Sequence, residues 1–318
     1  MLEPYDSAWK KTSVSDRVAA IDFGTNTARL LIADTNSTDV LEQVRLEREI
    51  VRMGGGFSSS TGLSMEAMER GMACLKRFGE IIRDYDVSQT RAVATSAVRD
   101  AANGREFVES VRQLTGISLT VIDGISEGKL TLAGVMAGLD TYFNDSLIFD
   151  VGGGSTEYTL AHGKTAKFIS SLPLGVVRLT EGKVTPEAMR EKITRELEAL
   201  RGEMEEAGCY PGQGIPLIGT AGTATTLAAI SLEMRDYDYR KVNNYLLSRG
   251  KIMEIYERLL PLSPEERVSI PGLEKGREDL IIAGSLITLL TMEMFGANEL
   301  KVSDYGLLEG LIVSPSLV

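Results

Sequence analysis

Two stretches of this chain repeat one another, and that repetition narrows the possible folds more than any other feature. AAIDFGTNTARLLIAD surrounds Asp22, and LIFDVGGGSTEYTLA surrounds Asp150. Superposing the two aspartates puts Gly24 on Gly152, Asn26 on Gly154, Thr27 on Ser155 and Leu30 on Tyr158. Each unit reads as an apolar strand, an aspartate, a small-residue turn and a second strand. In the first half, Arg17–Phe23, Ala28–Asp34 and Val40–Arg52 predict three consecutive strands. An amphipathic helix over Ser64–Asp86 with Ser64 as its N-cap, strand Gln89–Thr95, helix Arg105–Leu114 and strand Ile117–Ile122 follow. After a helix over Ser126–Leu139 the order recurs, with strands Ser146–Val151, Thr156–His162 and Lys164–Ser170. Thr185-Pro186-Glu187 opens a charged helix running to Ala207, Ile215–Ile218 is a short strand, and Thr223–Leu232 is a helix. Ser263 to Glu266 has capping-box spacing, and helix Glu278–Phe295, strand Glu299–Ser303 and helix Gly306–Ile312 close the chain. Three strands in a row, then helix and strand in alternation, predict an α/β fold with mixed rather than purely parallel sheets.

The repeated turn suits phosphate. Glycine and small hydroxyl residues let backbone N–H groups come close to an anion, and Thr25, Asn26, Thr27, Ser155 and Thr156 add donors. An aspartate beside a phosphate is repulsive unless a cation lies between them. Asp22 and Asp150 are therefore candidate ligands of Mg²⁺, or of another divalent ion, which keeps waters in its octahedral shell. A third glycine-rich loop, IGTAGTATTL at 218–227, follows a strand and opens a helix, so Gly222 and Thr223 join the candidate phosphate contacts with Gly24, Gly152, Gly153 and Gly154. Any one such turn is a common hairpin feature; two matched units and a third loop point to function.

Composition removes competing classes. A chain of 318 residues outgrows one ordinary core and fits two domains. Its net charge of −11 repels polyanions at long range, so it is neither a generic nucleic-acid binder nor a membrane-surface protein. A single histidine, His162, leaves no Ser-His-Asp triad and no multi-histidine metal site. Cys74 and Cys209 lie far apart, which argues against a disulfide framework or zinc site and fits a reducing cytoplasm. The first residues carry no apolar signal segment, and the most apolar run, Leu280 to Phe295, is interrupted by Glu293 and reads as a core helix.

DFGTNT, DVGGGST and GTAGT resemble the phosphate loops of the actin–sugar kinase–chaperone ATPase superfamily. More narrowly, AVATSAVRDAANG (92–104), VIDGISEGKLTLAGV (121–135), FDVGGGSTE (149–157), SLPLGVVRLTE (171–181) and KVSDYGLLEGL (301–311) are similar to the exopolyphosphatase / guanosine pentaphosphate phosphohydrolase family in its short form. The resemblance implies two ribonuclease H-like (actin-like ATPase) domains flanking a cleft, 1–125 plus 306–318 and 126–305. It implies Mg²⁺-dependent removal of the terminal phosphoryl group of inorganic polyphosphate. Guanosine pentaphosphate is the alternative substrate, and an ATP-dependent small-molecule kinase a more distant one. The family's catalytic glutamate falls on Glu127, a general base for water, and its metal-associated acids on Asp150 and Glu157, with Asp22 matching in the first loop. Arg99 takes the family's arginine position; by itself it reads equally as a salt-bridge partner or a phosphate contact. Arg277 is either a contact for the nucleotide or chain end or a helix-start surface charge. The resemblance also implies a homodimer. Two departures from the family pattern, Val242-Asn243-Asn244 and Met53-Gly54-Gly55-Gly56, bear on substrate recognition.

Overall fold

The computed structural model describes residues 16–35, 41–57, 62–182 and 185–317; the expected start of the third strand at Val40 lies outside them. Strands β1 (Asp16–Phe23), β2 (Thr27–Thr35) and β3 (Leu41–Ile50) form an antiparallel meander. Helix α1 (Met65–Asp84) follows, its first turn closed by Ser64, whose side chain accepts from the Ala67 amide. β4 (Gln89–Ala94), the short α2 (Ser96–Arg99), α3 (Gly104–Thr115) and β5 (Leu119–Val121) complete a five-stranded sheet in the order β3-β2-β1-β4-β5. β4 and β5 run parallel to β1, so the sheet is mixed.

Helix α4 (Gly124–Gly138) leads into the second unit, which repeats the plan with β6 (Asp145–Val151), β7 (Thr156–His162) and β8 (Thr165–Leu172) as an antiparallel meander. Then come α5 (Val176–Gly182), α6 (Pro186–Glu206), β9 (Leu217–Thr220), α7 (Ala221–Ser231), α8 (Tyr239–Val242), β10 (Leu246–Ser248), α9 (Arg249–Leu259) and α10 (Pro264–Arg267). α11 (Ile281–Met294), β11 (Glu299–Val302) and α12 (Leu307–Val313) finish it. The second sheet has the order β10-β11-β9-β6-β7-β8. Apart from the added edge strand β10, it is the first sheet again, with β9 and β11 parallel to the central strand. The sequence pattern missed α5, β10 and α9, short or highly charged segments whose apolar positions find partners only in the folded core.

Period-two alternation explains where the acids point. On β1, Ala19, Ile21 and Phe23 pack with Cys74 and Leu75 of α1 and Phe107 and Val111 of α3. Val18 and Ala20 face the other way, onto Leu130 of α4 and Leu307, Leu308 and Leu311 of α12. On β6, Leu147, Phe149 and Val151 enter the large core of the second unit, while Ile148 meets Leu132 and Val135 of α4. Asp22 shares the parity of Val18 and Ala20, and Asp150 that of Ile148, so both lie on the sheet faces pressed against α4. Arg29 on β2 and Glu157 on β7 share those faces with Leu31 and Ala161. α4 is therefore packed by both sheets, and the predicted boundary at 125/126 falls within its first turn. α11 is buried along its length, and no described helix is long and apolar enough to cross a membrane.

Candidate active site

The two Asp-hairpin turns have the same internal geometry. The Gly24 amide donates to the Thr27 carbonyl at 3.1 Å, and the Gly152 amide to the Ser155 carbonyl at 3.0 Å. The segment after each third strand then occupies the loop carbonyls. Val51 and Arg52 donate to Asn26 O and Gly54 to Thr25 O; Val176 donates to Gly152 O and Val177 to Gly153 O. With the carbonyls engaged on one side, the amides of Thr25, Asn26, Gly153 and Gly154 have no protein acceptor among the described residues. Unpaired amides grouped in this way are an anion receptor. The loops also touch: a Cβ on Gly153 would lie 2.9 Å from Thr25 Cβ and 3.1 Å from the Asn26 nitrogen.

Asp22, Gly24, Thr25, Asn26, Thr27, Asp150, Gly152, Gly153, Ser155, Gly222, Arg277 and Glu127 line one cavity of about 70 Å³. The third loop reaches it through Ala221, held at a left-handed φ of 60°, and Gly222. The Arg277 guanidinium lies over Gly222, where a Cβ would stand 2.1 Å from it and displace it. Helix α7 begins at this point without a side-chain cap, since Thr220 turns its hydroxyl to Tyr305 O at 2.9 Å.

Several expected phosphate contacts do not line the cavity. Thr156 is wholly buried, and its hydroxyl donates to Leu174 O. Gly154 forms the wall against Ser96, and Thr223 packs on Gly284. Arg99 stands behind Glu127: its Nη1 lies 3.6 Å from Glu127 Oε2 and donates to Ile122 O at 3.3 Å. It therefore faces the acid rather than the anion. The asparagines that depart from the family pattern are also remote from the cavity. Asn243 and Asn244 both donate to Gly138 O at the end of α4, and Gly54 packs beneath Thr25. Sequence reading missed Arg29, Arg48, Thr95 and Ser96, which do line the cavity. Arg29 was within reach, because the alignment of the two units that sets Leu30 on Tyr158 also sets Arg29 on Glu157.

That pair makes the two halves electrostatically unequal. Strand register puts Asp22 opposite Arg29 and Asp150 opposite Glu157. Asp22 Oδ2 accepts from Arg29 Nη2 at 2.7 Å and Nε at 3.1 Å, so the first half neutralises its own acid. The second half puts two buried acids side by side, with Glu127 added from α4. Burial, opposed by Arg29 and reinforced by Asp22, raises Asp150 to about 6. Burial and then Asp150 raise Glu157 to about 7, although Ser171 Oγ donates to its Oε1 at 2.7 Å. Glu127 is raised well above the carboxylate range, first by burial and then by Glu157, Asp150 and Asp22. Glu127 Oε2 and Glu157 Oε2 are buried with no hydrogen-bond partner among the described residues. Such a cluster fits a hard divalent cation. Among the described residues no group of three His, Cys, Asp or Glu side chains is placed to hold a metal ion by itself.

The Ppx/GppA phosphatase family model matches residues 31–317. The chain belongs to that family. Among Ppx/GppA relatives and related proteins, it is 31% identical to exopolyphosphatase 2 of Mycobacterium tuberculosis, covering 94% of this chain and 98% of that protein. It is 33% identical to a bifunctional 3-dehydroquinate synthase/phosphatase of Fusobacterium nucleatum over 93% of this chain, and spans 46% of that longer protein. A solved Ppx/GppA enzyme of Aquifex aeolicus superposes with a TM-score of 0.77 at 34% identity, over 94% of this chain and 99% of that one. An exopolyphosphatase structure from Cytophaga hutchinsonii gives a TM-score of 0.85 at 27% identity, over 94% and 97%. The two-sheet α/β architecture is thus that of the family's actin-like fold.

Proposed function

We propose that the chain is a magnesium-dependent exopolyphosphatase, hydrolysing the terminal phosphoanhydride of inorganic polyphosphate with water. The observation that carries this reading is Glu127: a buried carboxylate with an oxygen that accepts no hydrogen bond among the described residues, set on a cavity lined by loop amides and arginines. The terminal phosphoryl group fits against the amides of Thr25, Asn26 and Gly153, which hold its oxygens in line for attack. Asp150 and Glu157, with Asp22 beside Arg29, would hold Mg²⁺, whose positive charge offsets the carboxylates and the phosphate oxygens. Glu127, relieved of like-charge repulsion, ionises and accepts the proton of the attacking water. Arg99, at ion-pair distance behind it, favours the carboxylate form. Phosphoryl transfer asks mainly for positioning and fixed positive potential, which amides and arginines supply without rearrangement. Two free thiols, Cys74 and Cys209, fit the cytoplasmic setting we assign, and a homodimer belongs to the same proposal.

A second reading, guanosine pentaphosphate as substrate, is favoured by one feature. Arg48 lines both the phosphate cavity and a neighbouring compartment of about 300 Å³ walled by Tyr237, Met234 and Leu273, which has the aromatic and apolar surface a nucleoside needs. Phosphate release from polyphosphate and from guanosine pentaphosphate, with and without Mg²⁺, tests both readings. Glu127→Ala is expected to cut turnover by about 10² to 10⁴ while polyphosphate still binds. Near-normal turnover removes Glu127 from the role.

A further inference from the structure

Two of the three arginines on the cavity are tied to a single carboxylate outside it. Glu274 Oε1 accepts from Arg48 Nη1 at 3.1 Å, and Oε2 accepts from Arg277 Nε at 2.6 Å. Arg48 comes from β3 in the first sheet, and Arg277 from the segment before α11 in the second unit. One side chain thus bridges the two halves of the molecule at the cavity wall. The bond to Arg277 uses only Nε, and its two Nη groups, lying over Gly222, have no protein acceptor among the described residues. Arg48 is braced from its other side by the Tyr237 ring, 5.7 Å from guanidinium to centroid, and the Tyr237 hydroxyl donates to Asp304.

The cavity is polarised. Glu127 is acted on by Glu157, Asp150, Asp22 and Arg99, whereas the charges acting on Arg277 are Glu274, Arg48 and Arg29. Acids and α4 gather at one end, arginines and α7 at the other, and Asp22–Arg29 joins them. Water attacks at the acidic end, so the phosphates behind the scissile bond run toward the basic end.

We propose that Glu274 is a positioning residue: it fixes Arg48 and Arg277, one from each half, as a fork that grips the phosphates trailing the terminal one. This rests on the polyphosphate reading above. Two opposite effects decide the sign of its removal. Losing an anion beside two cations strengthens the local positive potential and tightens binding. Losing the bridge frees two long side chains, each of which must then be ordered by the substrate. Bidentate bridging of cations from two different elements makes the second effect the larger, because the fork's spacing exists only while Glu274 holds it.

The test compares kcat and KM of wild type, Glu274→Ala and Glu274→Gln on long-chain polyphosphate and on tripolyphosphate, with melting temperature as the check on folding. The expected result for Glu274→Ala is a KM on the long chain raised roughly ten-fold, about 1.4 kcal/mol. Tripolyphosphate, with fewer trailing phosphates, shifts less, and kcat stays within about two-fold. Glu274→Gln, which keeps one acceptor, falls between. A KM that drops or stays unchanged in both variants overturns the proposal, since Glu274 then only neutralises charge; so does a loss confined to kcat. Should Glu274→Ala not fold, Glu274→Gln decides by the same sign. If the wild-type chain hydrolyses neither compound, the proposed function fails on its own, and the polyphosphate Kd of the variants against wild type still reads the fork.

Discussion

Replacing Glu157 by glutamine isolates the charge imbalance between the two repeats. The substitution keeps size, keeps an oxygen to accept from Ser171 and removes one negative charge from a fully buried cluster. A carboxyl moved from the ordinary 4.5 to about 7 costs the folded chain about 3 kcal/mol once it is ionised. Because the folded-state value is raised, the folded chain keeps the proton between about 4.5 and about 7 while the unfolded chain has lost it. Wild-type stability therefore falls as pH climbs through that window, and the glutamine variant is spared that contribution. In urea unfolding without divalent ions, Glu157→Gln is expected to be more stable than wild type by about 2–3 kcal/mol at about pH 8, and nearly equal to it at about pH 5. Adding Mg²⁺ at the higher pH should close the gap from the wild-type side and shift the variant's melting temperature less. A stability difference that is the same at both pH values, or a variant weaker than wild type at the higher one, refutes the charge argument.

Two further perturbations test neighbouring parts of the site. Arg29→Gln leaves Asp22 buried without its counter-charge and should cost about 3–5 kcal/mol in urea unfolding; adding Asp22→Asn in the same chain should recover most of that loss. Gly153→Ala puts a Cβ 2.9 Å from Thr25 Cβ; parting the two loops by a few tenths of an ångström should lower phosphate release at least about ten-fold with an unchanged circular dichroism spectrum.

Much of this site was legible in local patterns. The repeat of an aspartate at a strand end put Asp22 and Asp150 in equivalent turns, and two-residue alternation is enough to send both toward the same sandwiched helix. Ser64, Thr185 and Ser263 all cap the helices their spacing predicts. Arg99 shows the limit of such reading: its sequence allowed a salt-bridge partner and a phosphate contact equally, and its guanidinium lies 3.6 Å from Glu127. Asn243 and Asn244 likewise stand in a stretch associated with recognition and instead close the carboxyl end of α4. In each case the residue type allowed both roles, and only the direction of the side chain chose between them.

The sequence alone determined the doubled α/β plan, the three small-residue loops and the acids beside them, because these follow from backbone geometry and strand periodicity within a few residues. Tertiary structure alone decided which charges face one another. Glu274 meets Arg48 across 226 positions of chain, and the acid pair Asp150–Glu157 becomes a strained cluster only when α4 adds Glu127 in a water-poor interior. Coulomb energies depend on distance and burial, and neither quantity is written in the order of the residues.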